Sequence, residues 1–136
     1  MSYPISGIEG IAPAMRAKLK SVGIRTTDKL LERAKGLKQR QELARKIDID
    51  PKILLSIANL ADRMRIKGVG EDYAELLSAA GVETVKELRY RNPAKLAKAM
   101  AEANAKRSLV RLPPSELMVG RWIEHAKQLT LIISYK

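Results

Sequence analysis

An all-α chain is what this sequence predicts, on three observations. Apolar residues recur almost everywhere with the 3.6-residue period of a helix, and the alternation of a half-buried strand is nearly absent. Prolines and small polar residues stand at the starts of these stretches, and glycines stand at their ends. The chain also matches itself: moved by 58 residues, Ile8, Gly10, Leu19, Gly23, Thr26, Leu30 and Arg33 fall on Ile66, Gly68, Leu77, Gly81, Thr84, Leu88 and Arg91. The expected architecture is two pseudo-repeated units with connector helices in one compact domain, 1–129. The first repeat with its connectors spans 5–64, the second spans 65–129, and 130–136 is a tail.

Taken in order, Pro13 opens the first helix, where a missing N–H costs nothing, and Met15, Leu19 and Val22 share one face. Gly23 ends it as a residue free to turn left-handed. "TTDKLLERA" begins a second helix capped by Thr26 or Thr27, and "LKQRQELARK" is a third, strongly basic one. Asp50 and Pro51 start a fourth, whose apolar stripe is Ile53, Leu54, Ile57, Leu60, Ala61 and Met64. In the second half Thr84 and Glu87 have capping-box spacing, Asn92 with Pro93 opens "NPAKLAKAMAEANA", and Ser115 caps the helix that carries Trp122. That last helix matches the fourth at a shift of 65, with Trp122 on Ile57 and Ala126 on Ala61. The tail "TLIISYK" reads equally as a packed end, an oligomer contact or a frayed terminus.

Composition narrows the function classes. A 46% apolar and 30% charged chain of 136 residues is globular, and it has no apolar run long enough to span a bilayer. The start "MSYPISGIEG" has no charged region followed by an apolar one, so no secretion signal is expected and the compartment is cytoplasmic, nucleoid-associated if DNA is the partner. Without cysteine there is neither a disulfide framework nor a thiolate metal site. The 26 Lys and Arg against 15 Asp and Glu give +11, a field that attracts polyanions, nucleic acid first among them. Phe is absent and Trp122 with four Tyr are the only aromatics, which argues against a base-stacking platform for single strands.

The segment "IKGVGEDYAELLSAAGVETVKEL" carries a Gly68-Val69-Gly70 turn, Leu77 for the core and a closing Gly81-Val82 pair. "IEGIAPAMRAKLKSVGIRTTDKL" repeats it with Ala12 in place of the second glycine. Each resembles the helix-hairpin-helix motif. The tandem arrangement over roughly residues 5–129 resembles the family called domain of unknown function 4332. The resemblance implies a hairpin lying on one DNA backbone strand in the minor groove, with backbone amides aimed at phosphate. Carried over, the contacts are Gly10, Ile11 and Ala12 in the first copy and Gly68, Val69 and Gly70 in the second. Where the motif often has a lysine two residues past the second glycine, this chain has Ala14 and Asp72.

The physics of such a contact is that a helix start bears unpaired N–H donors and partial positive charge. Arg16, Lys18 and Lys20 follow the first hairpin, whereas Glu71 and Asp72 front the second, with only Arg65 and Lys67 (after Arg63) leading into it. The first copy is therefore the expected phosphate contact. A second reading is open: both hairpins are compact connectors, with Ile11 and Val69 plugging the core. In the connector, Lys38, Arg45 and Lys46 fall near one side of their helix, with Arg40 and Lys35 partly around it, and form a further candidate phosphate surface.

No catalytic constellation is visible. Asp50 is explained as a cap, Glu71 and Asp72 diverge on a helix, and His125 is the single histidine. No cofactor or metal is expected. The expected function is non-catalytic, sequence-nonspecific binding of double-stranded DNA. The alternative is a helical protein-interaction adaptor or self-assembling scaffold; the oligomeric state and the choice of DNA over RNA stay open.

Overall fold

A computed structural model describes residues 2–136. The helices are Pro13–Ser21 (α1), Thr27–Ala34 (α2), Leu37–Lys46 (α3), Pro51–Arg63 (α4), Glu71–Ala79 (α5), Val85–Leu88 (α6), Pro93–Arg107 (α7) and Glu116–Gln128 (α8). A 3-10 turn, Ile5–Gly7, precedes them, and Pro4 and Thr26 form an isolated antiparallel bridge. No strand is present among the described residues. The chain resolves into two compact units, one of residues up to Arg65 together with Ile132–Lys136, the other Ile66–Leu131.

The helix starts follow the sequence punctuation. Thr26, not Thr27, caps α2 by accepting the Lys29 N–H at 3.2 Å, and Thr27 is buried. Asp50 accepts from Lys52, Asn92 from Lys95 and Ser115 from Met118. Pro13, Pro51 and Pro93 each occupy the first helical position. Thr84 accepts the Glu87 N–H at 3.0 Å, but the Glu87 carboxylate returns to the Thr84 hydroxyl at 3.0 Å.

In the first unit α2, α3 and α4 pack on one another around Leu30, Leu31, Ala34, Leu43, Leu54 and Ala58. Ile5, Ile8, Ile11, Leu19 and Ile24 are buried beneath the N-terminal segment. α1 closes with Gly23 at φ 83, where the Ile24 N–H reaches the Leu19 carbonyl at 3.0 Å and the Gly23 N–H reaches Lys20. In the second unit the same pair of bonds closes α5, from Val82 to Leu77 at 2.8 Å and from Gly81 to Ser78. There α7 packs on α5 and α8, and α6 packs on α8.

One feature departs from the sequence expectation, and another decides between readings it left open. Ile53, assigned to the stripe of α4, is 47% exposed, because the first turn of that helix projects to solvent. The tail is a packed end: the Ser134 N–H donates to the Lys35 carbonyl at 2.7 Å, and Tyr135 donates its hydroxyl to Asn59 Oδ1 at 3.1 Å.

Along α4 every residue from Ile57 to Arg63 is buried, including Asp62. Burial pushes the Asp62 carboxyl above the usual carboxylate range; the charge and hydrogen bond of Arg65, 2.7 Å away, only partly oppose it. The folded chain thus holds this proton more tightly than the unfolded chain. Between the two titrations the native state binds more protons, so stability falls as pH rises. Asp62→Asn removes that dependence. The stability of the wild type relative to Asp62→Asn is expected to increase from pH 7 to pH 4, as urea unfolding at both values would register; a constant difference would contradict the burial argument.

Candidate nucleic-acid interface

The turns before α1 and α5 close with the same bond, although Gly68 is among the positive-φ glycines and Gly10 is not. Ile11 and Val69 are each 1% exposed, so both side chains plug their units' cores. Their N–H groups are taken by the turns themselves, Ile11 on Ile8 at 3.2 Å and Val69 on Ile66 at 2.9 Å. Neither residue therefore has a spare backbone donor. The donors without an acceptor lie at the helix starts, where the physics of such a contact places them. Before and within the first turn of α1, the N–H groups of Ala12, Ala14 and Met15 have no acceptor among the described residues. In α5 the same is true of Gly70, Asp72 and Tyr73. Gly10 and Ala12 are exposed beside Ile11, and Ala12 is in ordinary extended backbone at φ −56 and ψ 145.

What differs is the charge around these donors. The first turn of α1 has no acidic residue, whereas that of α5 has Glu71 and Asp72. Lys20 is exposed on α1. Arg16 is half-buried and reaches back to the Ser6 carbonyl at 2.8 Å, bridging α1 and the 3-10 turn. Lys18 donates to the Asp48 carbonyl at 2.8 Å, which draws α1 to the turn just past Lys46. Lys38, Arg45 and Lys46 are exposed on α3, but Arg40 is buried. Its guanidinium donates to the carbonyls of Ala34, Lys35 and Ser134 at 3.0, 3.0 and 2.6 Å. Arg65 is likewise not a free cation, being held by Asp62. By unit, 15 Lys and Arg stand against 7 Asp and Glu in the first, and 11 against 8 in the second.

In the second unit, Lys67 is exposed and its N–H donates to His125 Nδ1 at 2.9 Å, so His125 shapes the approach to the turn. Gly68 has φ 87, and Trp122 packs against it and against Tyr73, whose ring centroid is 5.0 Å from that of the indole. Gly70 has extended backbone, and a Cβ placed on it would meet nothing within 4 Å. The sequence holds no local signal for these contacts: His125 and Trp122 stand more than fifty positions away and meet the turn only through the packing of α8.

The family described as Domain of unknown function (DUF4332) matches residues 9–129. The chain belongs to that family. No curated protein and no solved structure matches it. Among the described residues no group of three or more His, Cys, Asp and Glu is placed to hold a metal ion. No helix among them is long and apolar enough to cross a membrane.

Proposed function

We propose that this family member is a non-catalytic, tandem helix-hairpin-helix protein that binds double-stranded DNA without reading its sequence. The observation that carries the reading is the start of α1, where three amides without an acceptor among the described residues stand with Arg16 and Lys20, and no acid lies in the first helical turn. Amides at a helix start favour an anion, and cations beside them add a screened Coulomb attraction. Contacts of this kind hold phosphate and carry no base information. The 58-residue spacing, which relates the two turns and their closing bonds, supports a duplicated hairpin. In this reading the second hairpin is the weaker contact, because Glu71 and Asp72 repel phosphate. Lys18, Lys38, Arg45 and Lys46 extend the surface of the first unit, and the protein associates with the nucleoid.

Affinity for a duplex is expected to fall steeply with salt, since each neutralised phosphate releases counterions. Lys20→Glu is expected to weaken binding by about tenfold and to lower the salt slope by about 1, while Lys67→Glu does less. Fluorescence anisotropy across a salt series measures both; a flat salt response, or equal effects, would sink the reading. An interaction adaptor is the second reading, favoured by Leu112 and Leu117, which are 75% and 65% exposed.

A further inference from the structure

Beside the first turn the chain forms a cleft of about 320 Å³ along one face of α1. Ile5, Pro13, Ala17 and Ile24 give it an apolar lining, and Arg16, Lys20 and Arg25 are its charged groups, with no carboxylate among the lining residues. The bond from Arg16 to the Ser6 carbonyl ties its two walls together. Lys20 and Arg25 are exposed and have no acid partner among the described residues. A concave site with apolar walls and a few convergent charged groups is the usual form of a small-ligand site. This volume is at the low end of that range.

The lining selects the ligand chemistry. Three cations without an acid suit a group with more than one negative charge. A terminal phosphomonoester carries about −1.5 to −2 at neutral pH, against −1 for the diester of a continuous backbone. The apolar walls suit a flat organic body next to that phosphate. Within a duplex the bases are stacked and paired, so none enters a side cleft without an unstacking cost, and that cost is smallest at an end. The cleft shares Pro13 and Arg16 with the first turn of α1, so it adjoins the amides read as the phosphate contact.

We propose that this cleft binds a nucleotide bearing a phosphomonoester, so that the protein favours phosphorylated DNA ends over continuous duplex. The inference rests on the reading that the chain binds DNA and adds to it a preference for ends. Its test uses the full chain and one duplex sequence in three forms: linear with terminal phosphates, linear with terminal hydroxyls, and closed at both ends by loops. The phosphorylated linear form is expected to bind about fivefold more tightly than the closed form, with the hydroxyl form between them. Arg25→Ala is expected to bring the phosphorylated-to-closed ratio close to one. Arg25→Lys, which keeps the charge and loses the fork, is expected to retain part of it.

Equal binding of the three forms overturns the end preference and leaves the DNA reading standing; binding of none overturns both. An end preference that Arg25→Ala leaves intact takes the preference away from this cleft. Deoxyadenosine monophosphate separates two sources of the same ligand. If it competes with the phosphorylated ends and not with the closed form, a free nucleotide suffices. If it does not compete while the preference persists, the duplex must supply the rest of the grip.

Discussion

Replacing Arg40 with methionine is expected to lower the unfolding free energy by about 3 kcal/mol, against a cost below about 0.5 kcal/mol for the exposed Lys38→Met. Arg40 is 2% exposed, and its guanidinium serves three carbonyls: Ala34 and Lys35 at the end of α2, and Ser134 in the tail. Methionine fills much of the space and provides no donor, so these carbonyls lose a charge-assisted bond each. Taking one charge out of the interior offsets part of the loss, since an ion held in a dry site bears a desolvation cost of its own. The offset is incomplete because the partners are main-chain groups that no substitution removes.

Arg40→Lys keeps the charge but cannot span a planar fork, and its expected cost is about half as large. Truncation of residues 132–136 removes the Ser134 acceptor and the Tyr135 ring, whose centroid lies 5.7 Å from the guanidinium carbon. Arg40→Met should therefore cost about 1 kcal/mol less in the truncated chain than in the full one. Urea unfolding of the four proteins measures that coupling. Additive effects would mean that the tail and Arg40 act separately.

The same residue shows where sequence reading stops. Period, caps and closing glycines located the helices because each is a local matter: Asp50, Asn92 and Ser115 bond to N–H groups two or three residues away. Arg40 sits in a run of lysines and arginines; its helical position sets it on the side of Leu43, Ala44 and Ile47, but nothing nearby in the chain shows what its guanidinium bonds. Its burial depends on Ser134, ninety-four residues further on. Arg65 reads as a candidate cation as well, although its partner Asp62 stands only three residues before it in the chain. For the first turn, the sequence places the donors at the start of α1, and the amides of Ala12, Ala14 and Met15 have no acceptor among the described residues. It does not show that Ile11 and Val69 spend their own amides inside the turn, because that follows from how a turn buries its central side chain and not from residue type.

The two glycines of the second turn are expected to respond very unequally to one added methyl. Gly68→Ala should cost about 2–4 kcal/mol. An L side chain at φ 87 is strained by about 1–3 kcal/mol, and the new Cβ would stand 3.3 Å from Trp122 Nε1. Trp122 cannot yield freely, being 3% exposed and stacked at a tilt on Tyr73. Gly70→Ala should change stability by less than about 0.5 kcal/mol, because its backbone is extended at φ −89 and a Cβ meets open space. Nothing inside the protein requires glycine at position 70; only a body approaching from outside would. The first turn already carries a methyl at Ala12 in ordinary backbone. If the first turn is the phosphate contact, a methyl at that depth is tolerated, and Gly70→Ala should leave duplex affinity within about twofold of the wild type. A loss of tenfold at unchanged stability would move the contact to the second turn, despite Glu71 and Asp72. Ala12→Gly supplies the converse measurement: a gain in affinity means that the methyl holds the phosphate off, and no change means that the amides of α1 already reach it.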